Sequence, residues 1–140
     1  MANAIIRRKK DSKEKGRNIL ESAENYLETI FILSRDGGKV RAIDIAGQLE
    51  FSKPSVSVAL KNLKSQGFVA SDKSGFITLT KSGLKIAKEI YERHIVISEW
   101  LVSLGVSEET AIKDACKMEH ILSEKSFLAI KAFIEKSEKV

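Results

Sequence analysis

The chain has 140 residues and is short of several things, each of which excludes a class of protein. Its single cysteine, Cys116, rules out an internal disulfide framework and, in a reducing compartment, leaves a free thiol able to act as a ligand. No run of about 18 apolar residues occurs, so no membrane-spanning helix and no membrane partner are expected. The opening segment MANAIIRRKKDSKEKGR is basic and no apolar stretch follows it, so a secretory signal is not expected and a cytoplasmic location is the default. There is no H-E-x-x-H pattern, and no residue stands as an obvious base beside the one Glu-His pair. A hydrolytic metalloenzyme is therefore disfavoured, and the protein is not expected to be an enzyme. Internal repeats and low-complexity linkers are missing as well.

What is present is charge, unevenly placed. Residues 1–17 carry seven Lys/Arg against two acids, which accounts for the whole net charge of +5. Within the balanced remainder, residues 39–85 hold eight basic and three acidic side chains, whereas 86–140 hold eight and ten. The middle of the chain is a basic module, and its chemistry suits a polyanion, because neutralising phosphates releases condensed counterions.

The pattern of elements predicts a mainly α protein: an N-terminal winged helix-turn-helix with a small β-hairpin wing, followed by an all-helical domain. The expected division is a basic flexible arm over 1–18, a DNA-binding domain over 19–80, and a dimerisation and metal-binding domain over 81–140. Ser22 can cap a first helix with Ala23, Tyr26, Leu27, Ile30 and Phe31 at helical spacing, and RDGG at 35–38 ends it. A short helix with Ala42, Ile45, Ala46 and Leu49 follows. The turn EFSK leads to a third helix, capped by Ser52, with Pro54 in its first turn and Val56, Leu60 and Leu63 inward. GFVAS and GFITLT, separated by DKS, read as a hairpin. Such a module lays its second helix in the DNA major groove and its hairpin on the backbone.

On the exposed side of the third helix, Lys53, Pro54, Ser55, Ser57 and Val58 are the candidates for base edges. Lys61, Lys64, Arg41, Lys73 and Lys81 are better suited to phosphates, which position the module without carrying sequence information. Each lysine alone is also what a solvated surface looks like; the set points to double-stranded operator DNA. Beyond Thr80, a capping residue, a long helix carries Leu84, Ala87, Tyr91, Trp100, Leu101 and Leu104 until Gly105. A helix capped at Ser107 shows a stripe of Ala111, Ala115, Met118 and Leu122, and a last one from Ser123 carries Phe127, Ile130 and Ile134. So many bulky apolar residues in this segment imply a second copy, and a symmetric homodimer would place two recognition helices one DNA turn apart.

Within DACKMEHILS, Cys116, Glu119 and His120 stand at i, i+3 and i+4 of a helix, on neighbouring turns of one face. Thiolate, carboxylate and imidazole together suit a borderline divalent cation such as Fe²⁺, Co²⁺, Ni²⁺ or Zn²⁺ rather than Ca²⁺ or Mg²⁺. Further donors are available in Asn25 and Glu28 on the first helix and His94 on the long one. The spacing alone is a weak signal, since a helix edge with a half-buried thiol and an exposed Glu/His pair gives the same pattern.

Four blocks carry a resemblance: SAENYLETIFIL, VRAIDIAGQLEFSKPSVSVALKNLKSQGFV, LTKSGLKIAKEIYERH and DACKMEHILS, in that order. With their E-x-Y-x-x-x-I helix start and E-H-x-x-S ending, spanning about Ser22 to Ser123, they resemble the metal-dependent repressors of the diphtheria-toxin-repressor and manganese-transport-regulator family. The length is similar to the short members that lack an extra SH3-like domain. The resemblance implies a dimeric winged-helix repressor that binds operator DNA when a divalent metal, iron or manganese, is present. It further implies that Glu119 and His120 match the family's ligand pair, that Cys116 stands where iron-type members have Cys and manganese-type ones Glu, and that Glu28 and His94 match second-site ligands. Asn25 departs from the family's Met or Asp, and Ser98 from an acidic residue, so a single site of Asn25, Cys116, Glu119 and His120, supported by Glu28 and His94, is the expected arrangement. The softness of Cys116 favours Fe²⁺ over Mn²⁺. Two other readings stay open: a winged-helix regulator with a decayed metal site that answers to another ligand or to thiol oxidation, and a winged helix used as a protein-interaction module.

Overall fold

The computed structural model describes residues 20–35 and 37–138. The basic arm expected over 1–18 lies outside the described residues. The chain divides into two compact units, Met1–Lys88 and Glu89–Val140.

In the first unit, α1 occupies 20–34 and is already helical at Leu20, so Ser22 sits inside the helix and does not cap it. This corrects the expected start, since a serine exposed on a helix is tolerated wherever the flanking residues are good helix formers. α2 (Ala42–Leu49) begins at Arg41, whose backbone N–H donates to the Asp44 carboxylate at 2.9 Å. It ends at Glu50 in the left-handed region (φ 57), which turns the chain sharply toward α3 (Lys53–Ser65). Ser52 caps α3 by accepting from the Ser55 N–H at 3.3 Å, and Pro54 occupies the first turn, where a missing N–H costs nothing.

The wing consists of β1 (Val69–Ser71) and β2 (Ile77–Leu79), antiparallel, with Val69 opposite Leu79 and Ser71 opposite Ile77. Val40 adds a bridge on the far side of β2, accepting from the Ile77 N–H at 2.7 Å. Tyr26, Leu27, Ile30, Val40, Ile45, Val56, Leu60, Leu63, Val69, Ile77 and Ala87 form one apolar core. At roughly 1.5–3 kcal/mol per large buried aliphatic side chain, this cluster is what holds the helix-turn-helix and wing as one body.

α4 (Lys81–Ser103) starts at Thr80, whose hydroxyl accepts from the Gly83 N–H at 3.2 Å and donates to the Gly67 carbonyl at 2.6 Å. At Gly83 a Cβ would lie 2.1 Å from the Phe68 carbonyl oxygen, so only glycine lets the first turn of α4 pass this close to the chain entering β1.

The second unit holds the rest of α4 with α5 (Glu108–Ile121) and α6 (Glu124–Glu138). The Ser107 hydroxyl accepts from the Thr110 N–H, the cap the sequence puts there, and that of Ser123 accepts from the Ser126 N–H at the start of α6. The buried apolar cluster is small: Ile97, Ala115 and Phe127, with Val96, Leu101, Met118 and Leu122 against it. Arg93 ties the three helices together. Its guanidinium donates to the carbonyls of Leu122 (2.6 Å) and Glu119 (3.3 Å) at the end of α5 and lies 5.2 Å from the centre of the Phe127 ring. No helix among the described residues is long and apolar enough to cross a membrane.

Candidate metal centre and nucleic-acid face

In the second unit the sequence-expected donors converge around one carboxylate. The spacing Ala111, Ala115, Glu119 puts Glu119 on the inward face of α5, and its side chain is only 1 % exposed. One of its oxygens, Oε2, lies 2.9 Å from Nδ1 of His94 on α4; the other, Oε1, lies 3.3 Å from Nε2 of His120, whose side chain is also 1 % exposed. Cys116, on the solvent side of the cluster, brings its Sγ to 3.8 Å from His94 Nδ1. Ligand atoms of His94, Cys116 and Glu119 all lie within 4.8 Å of one another. The ordinary helix-edge alternative, a half-buried thiol with an exposed Glu/His pair, is reversed: the thiol is exposed while Glu119 and the His120 side chain are buried.

A buried carboxylate is costly unless charge or hydrogen bonds compensate it. Here the His94 imidazole does so, through its hydrogen bond to Oε2. The hydrogen bond with Cys116, then that with Glu119, pushes the His94 pKa from 6.5 up to about 10, so His94 is protonated at neutral pH. The proton occupies the place of a cation. Around one tetrahedral ion, donors at bond lengths of about 2.0–2.3 Å stand roughly 3.3–3.8 Å apart, close to the separations seen here. The donor set of nitrogen, sulfur and carboxylate oxygen therefore fits a borderline divalent metal once the His94 proton leaves.

The remaining expected donors, Asn25 and Glu28, lie one turn apart on α1 of the first unit, both half-buried. Ser98 is buried on α4 and donates to the Ile95 carbonyl, which occupies its hydroxyl locally. Sequence reasoning missed Arg93. Its position directly before His94 gave no hint that its side chain would cap α5.

The expected DNA contacts all belong to the first unit. Lys53, Pro54, Ser55, Ser57 and Val58 are exposed on the first turns of α3, with Val58 62 % exposed despite being apolar. Lys61 and Lys64 follow on the same helix. Together with Ser57, Ser71 and Gly75 they line a groove of about 280 Å³ between α3 and the wing. Lys73 stands in the wing turn, Lys81 opens α4, and Arg41 packs its guanidinium over the Phe76 ring. A cationic groove next to an exposed helix start is an arrangement that can follow a phosphate backbone and present short polar side chains to base edges.

Two family models match successive parts of the chain. Residues 18–75 match the family described as iron dependent repressor, N-terminal DNA binding domain. Residues 80–139 match iron dependent repressor, metal binding and dimerisation domain. The transcriptional regulator MntR of Escherichia coli O6:H1 is 38 % identical over 116 residues, covering 83 % of this chain and 75 % of that protein. An HTH-type transcriptional regulator of Methanocaldococcus jannaschii is 35 % identical over 118 residues, 83 % of this chain and 94 % of its own length. Among solved structures, a manganese-dependent transcriptional repressor in complex with manganese superposes with a TM-score of 0.75 at 28 % identity, over 81 % of this chain and 52 % of that one. The chain thus spans about half the length of that solved repressor.

Proposed function

Because the chain belongs to the iron-dependent repressor family, we propose that it is a metal-dependent transcriptional repressor, acting in the cytoplasm, that binds operator DNA as a homodimer when a divalent transition metal is bound. Residues 19–80 then carry the DNA contacts and 81–140 the metal and the second copy. The observation that supports this most is the buried Glu119 carboxylate with His94, His120 and the Cys116 thiol around it, in a chain whose other unit offers a cationic groove. A surface that only had to be soluble would not bury that carboxylate.

Cys116, Glu119, His120 and His94 are the donors proposed to hold the metal, with Asn25 and Glu28 added on the strength of family resemblance. Bound there, a divalent ion supplies the positive charge that the His94 proton supplies without it. His94 would then ligate as the neutral imidazole, with the Glu119 carboxylate and the Cys116 sulfur as the donors beside it. Cys116 argues for a softer ion than manganese, so Fe²⁺ stands beside Mn²⁺, with Co²⁺, Ni²⁺ and Zn²⁺ as competitors by intrinsic affinity. Regulation requires that the metal bind the DNA-competent form more tightly than the other, since a ligand shifts an equilibrium only by its differential affinity.

The test is selection of duplexes from a random library by the full chain, repeated with Mn²⁺, Fe²⁺, Co²⁺, Ni²⁺, Zn²⁺ and chelator. Enrichment of a two-fold symmetric site with metal, lost in chelator, is expected. Equal enrichment in every condition removes metal control, and no enrichment in any removes the DNA reading.

A further inference from the structure

We propose that Phe76 is a positioning residue of the DNA face: its ring holds Lys39 and Arg41 as a paired phosphate clamp at the base of the wing. This rests on the DNA-binding reading above. The bridge from Ile77 N–H to the Val40 carbonyl lays 39–41 alongside β2 as a short extended segment. Side chains alternate along such a segment, and Val40 and Ile77 are both buried, so Lys39 and Arg41 stand on the opposite, solvent face with Phe76. There the Lys39 Nζ lies 4.9 Å and the Arg41 Cζ 4.2 Å from the ring centre, both within cation–π range.

The parts of this arrangement are fixed by their neighbours. The Arg41 backbone is anchored by Asp44, and the guanidinium runs beside Gly75, where a Cβ would sit 3.9 Å from Nη1. Phe76 is anchored through its N–H, which donates to the Asp72 carboxylate at 3.0 Å, the same oxygen that takes the Ser74 N–H at 2.9 Å. Among the described residues no carboxylate pairs with Lys39 or Arg41, whereas Lys113 and Lys131 do have acidic partners. Two cations on one ring repel each other, and a bridging anion relieves that repulsion. A guanidinium held over a ring face keeps N–H donors available, and a guanidinium can take phosphate oxygens two at a time. Gly75 also borders the groove lined by Lys61 and Lys64, so the clamp extends an existing cationic track.

The experiment uses the full chain with Mn²⁺ and a duplex recovered by the library selection, and measures affinity as a function of salt. Phe76→Leu is expected to weaken binding roughly three- to tenfold, since the ring contact is lost while the apolar bulk stays. Its salt slope should become shallower, and Phe76→Tyr should restore both. The surface pair Lys39→Gln with Arg41→Gln should lower the slope by about 0.9 per lost phosphate contact. Adding Phe76→Leu to that pair should change nothing further. An unchanged slope in Phe76→Leu, failure of Phe76→Tyr to rescue, or full additivity with the Gln pair overturns the clamp while wild-type binding stands. No salt-dependent duplex binding by the wild type overturns the DNA reading and the clamp together.

Discussion

The two units are built on opposite principles. The first buries a continuous apolar cluster running from Tyr26 to Ala87 and keeps its cations outside, whereas the second buries few large apolar residues and places the Glu119 carboxylate among them. Apolar burial is indifferent to ions, but a buried carboxylate is only as stable as the charges facing it. On the proposed function, metal control resides in the second unit, because its buried carboxylate needs a facing cation and the apolar core of the first unit does not.

Breaking the first half of this comparison needs a core cavity. Leu63→Ala, at a buried position on α3 away from the proposed donors, is expected to cost about 2–5 kcal/mol in denaturant unfolding, by the same amount with Mn²⁺ as with chelator. A cost that changed with metal would blur the distinction between the units. The second half is sharpened by Glu119→Gln. Wild-type protein should gain about 2.7 kcal/mol when free metal reaches a hundred times its Kd, and the variant should gain almost nothing in the same titration.

A smaller effect separates local from global contributions: Ser52→Ala removes the cap of α3 and should lower stability by about 1 kcal/mol, again without regard to metal. A further effect is one of pH. His94 has a folded-state pKa raised from 6.5 to about 10, so the stability it contributes without metal is complete below pH 6.5 and lost as pH rises through about 10. Melting of the metal-free protein should therefore fall over that window. Metal-loaded protein should show the opposite linkage at His94, because the ligating imidazole must be neutral, and apparent metal affinity should rise with pH.

Much of this was legible in the sequence, for local reasons. The caps Ser52, Thr80 and Ser107 and the stop at Gly105 act on their own neighbours, and short-range rules find them. The hairpin followed from two β-prone runs joined by a polar turn. The start of α1 was misplaced because Ser22 looks like a cap from composition, yet the helix is already formed at Leu20. On α5 the inward stripe was read as Ala111, Ala115, Met118 and Leu122. Glu119 lies on that same stripe by spacing, but a carboxylate is assigned to solvent unless something faces it, and what faces it comes from His94, 25 positions earlier. The pairing of Lys39 and Arg41 with Phe76 was hidden for the same reason: only the Val40–Ile77 bridge brings these residues together.

The most direct test of the account is duplex affinity of wild type and Glu119→Gln, titrated with Mn²⁺ and with Fe²⁺ at constant ionic strength. Wild-type affinity should climb by one or more orders of magnitude over the metal range, while Glu119→Gln stays at the chelator baseline with its salt slope intact. Equal metal response in the two proteins, or none in the wild type, contradicts the claim that the buried carboxylate of the second unit is the sensing end of the switch.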